Sequence, residues 1–397
     1  MKKGIMFSLI IIFIATTLVG LITIQRSLIT YSRENIYVET RINAINSHYD
    51  SIMRDLRKTI ETVTQRAIIV CLTNISTDLV PLRDANVTLK ELIINGTFDQ
   101  QDSTLMHDAT IEYWINKIKD ISLEKGFDVY IDTGLINNTL EIKPFNSFYL
   151  LADAKMQINI TDLQGVAHLN RTVTISKLIS IEGMGDPLYL IHSLASNEVK
   201  ESPYIGNYTE LLMTGTGGNN YVYGVTTTNI VNFNGKILIV DDASTIPNLD
   251  DAEGVICRSG CSGTIRPYIV SSNALNLPEN MNVLLDGDNG KVWYIDNLKD
   301  HLANHYYQPS AIGPSFLDRL EGNLTKQTKY SSQSNNEIGL ESFVKKIGPS
   351  MNEYTNVDYL YVDNVNGNEV KGISDISNSF RIDVQHESIY NATDIIE

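Results

Sequence analysis

From Gly4 to Ile24 the chain carries no charged residue, and Ile, Leu, Val, Phe and Met dominate the stretch. A helix of that length, rising about 1.5 Å per residue, spans about 30 Å, the thickness of a bilayer's hydrocarbon core. The stretch is therefore expected to cross a membrane once. A cleaved secretory signal has a shorter apolar region of about 7–15 residues, followed by a small-residue cleavage site. Here the run passes directly into Gln25, Arg26 and a helical pattern, so it is expected to stay on the protein. Lys2 and Lys3 precede it and Arg26, Arg33 and Arg41 follow it, a near-balance under the positive-inside rule.

The rest of the chain decides the orientation. Residues 1–70 hold nine Lys/Arg against five Asp/Glu, whereas the whole protein has a net charge of −16, so the acidity lies beyond residue 70. Asn-x-Ser/Thr triplets begin at Asn74, Asn86, Asn95, Asn137, Asn159, Asn170, Asn207, Asn323 and Asn391. These nine exceed the about five or six that chance gives for this composition, and they mark candidate glycosylation sites. With few cysteines and an acidic body, they point to a cytoplasmic amino terminus and an extracellular, cell-surface ectodomain. The same acidity excludes nucleic acid as a partner, because such binding draws its affinity from neutralising phosphates.

Past the apolar run, Val38, Ile42, Ile45, Tyr49, Ile52, Leu56, Ile60, Val63, Ala67 and Val70 recur at steps of three and four. They form one apolar stripe along an amphipathic helix. No Pro or Gly interrupts residues 21–80, so membrane helix and stalk can be one rod about 100 Å long. The stripe needs a partner: either a coiled coil with another copy through residues 38–70, or the chain's own globular part.

Lys2-Lys3-Gly4, followed at once by Ile5-Met6-Phe7-Ser8-Leu9 and a pure apolar helix, resembles the class III signal of archaeal type IV pilin-like proteins. The resemblance covers residues 1–72. It implies cleavage between Gly4 and Ile5, retention of the apolar helix as an anchoring or assembly element, and pilin-like partners. Leu9 stands where major pilins usually carry an acidic residue, and the chain is longer than a typical major pilin, so a minor pilin-like or tip component is implied. The other reading of the same residues is an uncleaved signal anchor in which Gly4 has no role.

The organisation expected is a leader-like cytoplasmic segment over 1–4, a transmembrane helix over 5–24, a helical stalk over 25–72, and ectodomain halves over 73–200 and 201–397. The fold class is α+β, since helices and strands do not alternate regularly. Residues 74–100 read as a turn-rich joint. Asp108 is expected to cap a helix with Ile111, Trp114, Ile115, Ile118 and Ile121 on one face and Gly126 past its end. Strands are expected at Phe127–Ile131, Leu140–Ile142, Lys155–Ile160, Val166–Ile181, Tyr221–Thr227, Lys236–Val240, Thr264–Val270, Val283–Leu285, Val292–Ile295 and Asp358–Val362. Hairpin turns are expected at Asn289-Gly290 and Asn366-Gly367, short helices at 296–306, 315–321 and 340–347, and a linker over 197–220.

Candidate chemistry is sparse. Cys257 and Cys261 flank three residues and form a candidate disulfide outside a reducing cytosol, leaving Cys71 as a buried hydrophobe or a point of intermolecular pairing. His301 and His305 are spaced i, i+4, yet Leu302 replaces the glutamate a zincin requires, so they read as structural rather than as metal ligands. Asp286-Gly287-Asp288-Asn289-Gly290 has the oxygen pattern of a calcium loop but lacks its closing glutamate, and a hairpin explains it better. No nucleophile elbow, phosphate loop, dinucleotide fingerprint or His-Glu-x-x-His occurs. No catalytic residue, metal or cofactor is therefore assigned. The reading is a membrane-anchored, non-enzymatic surface protein, either a pilin-like component or an adhesion or structural ectodomain. Its alternative is an extracytoplasmic ligand-binding or sensing module, and a surface metallohydrolase built on His301 and His305 comes third.

Overall fold

The computed structural model describes residues 2–192, 196–203, 295–331, 337–344, 357–363 and 380–389, the short strands between 210 and 293, and positions 365, 367–370 and 396. It is a mixed helix and sheet architecture in which a long apolar amino-terminal helix precedes the sheets, in line with the α+β class. Two compact units form. Unit 1 comprises Met1–Val70, Asn86–Ile142 and Leu151–Ile179; unit 2 comprises Cys71–Ala85, Lys143–Leu150 and Ser180–Glu397.

Helix α1 runs unbroken over Lys2–Asp78, as the absence of Pro and Gly over 21–80 predicts. In unit 1 the stripe from Ile45 to Ala67 is buried against the chain's own residues. Val38 and Ile42, by contrast, stay exposed. Polar contacts flank the seam. The Arg41 guanidinium pairs with Asp162 and lies 4.8 Å over the Phe127 ring. His48 Nε2 meets Ser122 Oγ at 2.8 Å, and Trp114 Nε1 donates to Asp55 Oδ2 at 2.7 Å.

Helix α2, Ala85–Asn95, occupies the stretch expected to be a joint, because Leu89, Leu92 and Ile93 at helical spacing are fully buried. A small hairpin follows, β1 Thr97–Phe98 with β2 Gln101–Asp102. Helix α3, Ile111–Glu124, starts two residues later than expected. Its cap is Thr110, whose Oγ1 accepts from the Tyr113 amide, while Asp108 pairs with His107. Gly126 lies past its end at φ +79°, a left-handed position that a side chain resists.

Strand β3, Phe127–Ile131, falls as predicted. Helix α4, Thr133–Thr139, leads to β4 Glu141–Pro144, β5 Tyr149–Asp162 and β6 His168–Ser180. These strands form one sheet in which β5 is central, antiparallel to β3 with Phe127 opposite Asp162. The alternate residues of β5 from Leu150 to Ile160 are buried, the period-two signature of a sheet with one covered face.

Unit 2 begins its described helices with α5, Pro187–Ile191. Strands β7 Glu210–Leu212, β8 Tyr221–Tyr223, β9 Ile237–Val240, β10 Gly254–Cys257, β11 Tyr268–Ser271, β12 Asn282–Leu285 and β13 Lys291–Trp293 make a parallel sheet ordered β10-β9-β8 and an antiparallel one ordered β11-β12-β13-β7. The antiparallel pairing of β12 and β13 agrees with the hairpin reading there, although the loop 286–290 lies outside the described residues, as does most of the stretch read as a linker. Helix α6, Ile295–Asn304, precedes β14 Tyr307–Ser315, α7 Phe316–Leu320 and α8 Thr328–Ser331. Strand β15, Gly339–Ser342, then stands where a helix over 340–347 was expected, and α9, Asp358–Asp363, where a strand was expected. Asn366 of the hairpin turn expected at Asn366-Gly367 lies outside the described residues; the next strands, β16 Asn368–Glu369 and β17 Arg381–Ile382, pair with each other before α10, Val384–Ile389. Leu298, Leu302, Phe343, Val357, Leu360 and Ile382 form an apolar core in this unit.

Candidate functional site

The amino-terminal part of α1 is suited to lipid. Phe7, Ile10–Ile14, Leu18, Val19, Leu21, Ile22 and Ile24 are exposed, with Phe13 67% accessible. Its polar atoms are satisfied from within: Thr16 and Thr17 donate to the Phe13 carbonyl at 2.9 and 2.8 Å, and Thr23 donates to the Val19 carbonyl at 2.8 Å. A helix that meets its own hydrogen-bond requirement can sit where no water is available. Among the described residues this helix alone is long and apolar enough to cross a membrane. Exposed Tyr31 follows Arg26 and precedes Arg33, residue types that favour the headgroup level. Gly4 and Ile5 lie within the first turns of α1.

Seven of the candidate glycosylation asparagines are described, while Asn207 and Asn391 lie outside the described residues. Asn95, Asn137 and Asn170 are exposed. Asn95 and Asn137 open onto one cleft of about 180 Å³ beside Glu112. Asn86 uses its Oδ1 to accept from the Ile142 amide at 3.2 Å. Asn74 lies within α1, Asn159 is half-buried within β5, and half-buried Asn323 donates to Glu321.

Unit 2 holds a dense assembly of charged groups. Arg319 on α7 is fully buried: Nη1 donates to Asp186 Oδ2 at 2.6 Å, and Nη2 donates to Asp358 Oδ2 at 2.9 Å and to the Leu340 carbonyl. Tyr307 donates to the same Asp186 oxygen at 2.6 Å, and the Ser342 amide donates to Asp358 at 3.0 Å. Burial works against the Arg319 charge, but Asp186 and Asp358 outweigh it and hold the guanidinium more firmly protonated than usual. Burial likewise pushes Asp358 up to about 6, with Arg319 opposing and Asp186 and Glu341 assisting.

Beside it runs a second chain of contacts. His386 Nδ1 meets Asp383 Oδ2 at 2.6 Å, and Nε2 meets Glu341 Oε1 at 3.2 Å. Burial opposes the imidazolium, yet the two carboxylates overcome it and raise its pKa to about 9. Ser310 Oγ donates to Glu341 Oε1 at 2.8 Å and accepts from the Gly313 amide at 2.8 Å. A serine nucleophile needs a neutral imidazole to take its proton. Here the imidazole stays charged at neutral pH and bonds to carboxylates on both sides, so the arrangement ties β14, β15 and the start of α10 together rather than activating Ser310. Spacing gives no hint of this network, because Asp186, Arg319 and Asp358 lie far apart in the chain. The one local signal is the Ser315–Asp318 capping box that starts α7.

His301 is buried on α6 with its ring 5.0 Å from Phe343, and burial lowers its pKa to about 3. The helix ends at Asn304 and His305 takes φ +52°, so the two histidines do not share a helical face. Among the described residues no three His, Cys, Asp or Glu side chains are placed to hold a metal. Cys71 is buried within the protein, which removes it as an intermolecular link, and burial raises its thiol well above the ordinary range. The candidate pair Cys257 and Cys261 lies outside the described side chains. No protein-family model, no curated protein and no solved structure matches the chain.

Proposed function

We propose that this chain is a non-enzymatic cell-surface protein that α1 holds in the membrane as a single-pass anchor, with its amino terminus cytoplasmic and its α+β body outside. The observation that carries this is the exposed apolar surface of α1 from Phe7 to Ile24, continuous in one helix with the stripe buried in unit 1. The Lys2-Lys3-Gly4 start supports a processed, pilin-like form in which the mature protein begins at Ile5. The charged network of unit 2 supports a structural rather than a catalytic body, because its histidine is locked between carboxylates.

Membrane fractionation of cells bearing the full chain, followed by protease treatment of intact cells and amino-terminal sequencing, tests the reading. The body should be degraded from outside while residues near 5–24 stay with the membrane. An amino terminus at Ile5 supports processing, and one at Met1 ends the pilin-like part. Glycopeptide mapping should find Asn95 and Asn137 occupied before Asn86, whose side chain is engaged.

A further inference from the structure

Unit 1 contains a groove of about 340 Å³ between α1 and α3, at the lower end of the range of small-ligand pockets. One wall is a single face of α1, where Lys58, Thr59, Thr62 and Arg66 follow at helical spacing, and the other is α3, with Tyr113, Trp114 and Lys117. The lining carries three cations and two carboxylates, Asp55 and Asp108, in a protein of net charge −16.

Each carboxylate accepts a hydrogen bond but keeps its charge, so the lining carries a net charge of +1. Asp55 accepts from the buried Trp114 indole at 2.7 Å, and Asp108 pairs with His107 at 2.8 Å. Lys58, Arg66 and Lys117 pair with no carboxylate among the described residues. Lys58 and Arg66 stand about 12 Å apart along the helix axis. The groove therefore presents spaced positive charge, two threonine hydroxyls, and the Tyr113 ring, 45% exposed, on its α3 side.

We infer that this groove binds a hydroxyl-rich anion of the uronic-acid saccharide class. Carboxylates on successive rings answer the lysine and arginine heads, and Arg66 can take one in bidentate fashion. Ring hydroxyls answer Thr59 and Thr62, and a sugar face can lie on the Tyr113 ring. An acidic peptide suits it less well. Both walls are helices whose interior amides are already bonded, so an extended peptide gains no main-chain pairing of the kind a sheet edge supplies. This ligand would be met outside the cell only if the anchor reading holds, but the binding itself does not depend on it.

The test uses the full chain in nanodiscs and calorimetry with tetragalacturonate, its methyl ester and tetraglutamate. Tetragalacturonate should bind, and both its methyl ester and the Lys58→Glu/Arg66→Glu variant should weaken binding by about tenfold or more. Added salt should weaken it as well, since the contacts are solvent-exposed. Tyr113→Ala should reduce binding with an unchanged salt slope, which separates ring from charge. All the substituted positions are exposed, and a wild-type melting temperature confirms that each variant folds. No binding of tetragalacturonate, equal binding in the charge-reversed variant, or equal or tighter binding of tetraglutamate overturns the inference. A chain that binds the saccharide yet fractionates as soluble refutes only the anchor.

Discussion

The two units are stabilised by different means. In unit 1, long apolar series close on one another: the α1 stripe from Ile45 to Ala67, the covered face of α3, and the alternate residues of β5. Polar contacts sit at the margin, as with Lys177 and Glu61, both about a third exposed. In unit 2, Arg319, Asp186, Asp358, Glu341 and His386 lie inside, each with almost no accessible surface. A periodic apolar seam tolerates local loss, because each residue contributes its own burial. A closed ionic network does not, because every member compensates the desolvation of another.

The largest expected effect follows from that contrast. Arg319→Met removes one partner of a buried network and leaves Asp186 and Asp358 as uncompensated charges, which should cost about 3–5 kcal/mol. Hydrogen exchange followed by mass spectrometry should show the loss across β14, α7 and β15, with peptides of β3 and β5 unchanged. Restored protection in Arg319→Met combined with Asp186→Asn and Asp358→Asn would identify the uncompensated charge as the cause. If the single variant exchanges like wild type, the network is not what stabilises unit 2.

Next comes the seam itself. Leu56 is fully buried on α1, and Leu56→Ala should destabilise unit 1 by about 2–5 kcal/mol through lost transfer and the cavity left behind. The same exchange measurement should now place the change in α3 and β3. Uniform loss across both units would erase the distinction between them.

This contrast also explains how much could be read from the residues. The rod, α3 with its terminal glycine, and β3 show their periods openly, because one face is covered and the other wet. Strand β15 hides its period: all four residues are buried, and its spacing imitates a helix. Gly339 lies so close to Gly313 of β14 that a Cβ would sit 2.1 Å from the Gly313 carbonyl oxygen, a close backbone approach that no local pattern announces. In α9 the run Asp-Tyr-Leu-Tyr-Val alternates like a strand, but Asp358 is held by Arg319, and that tertiary demand prevails over local propensity. Helix α2 was masked by the asparagines and glycine around it. The groove residues were legible as a polar helix face, yet only the fold brings Lys58 and Arg66 opposite Lys117.

Titration should separate the units on the alkaline side. Asp358, raised to about 6 from 3.8, contributes stability present below its unfolded value and lost as pH rises through 6. His386, raised to about 9 from 6.5, contributes stability present below about 6.5 and lost as pH rises through 9, about 3 kcal/mol in all by about pH 10. In unit 1 the Asp162 carboxyl is held below its ordinary range by Arg41, so its contribution is present at neutral pH and lost on acidification. Exchange profiles should therefore show unit 2 loosening in base as His386 loses its proton. Acid should loosen unit 1 through Asp162 and also unit 2 through Asp383, where burial raises the carboxyl but His386 outweighs it and holds it below its ordinary range. His386→Gln should flatten the alkaline limb, and an alkaline limb unchanged in that variant would reject the assignment.

The smallest effect sharpens the comparison through salt. Lys177 Nζ and Glu61 Oε2 are 2.8 Å apart, but each side chain keeps about a third of its surface in water, so Lys177→Ala should cost no more than about 1 kcal/mol. Added salt should reduce even that, since exposed pairs are screened. Arg319 and its carboxylates are sealed from solvent, and the cost of Arg319→Met should stay nearly constant over the same salt range. A double-mutant cycle of Lys177→Ala with Glu61→Ala at low and high salt measures the coupling directly. If that coupling proves both large and indifferent to salt, the Lys177–Glu61 pair behaves like the buried network, and the line drawn between an apolar seam with polar margins and an ionic interior falls.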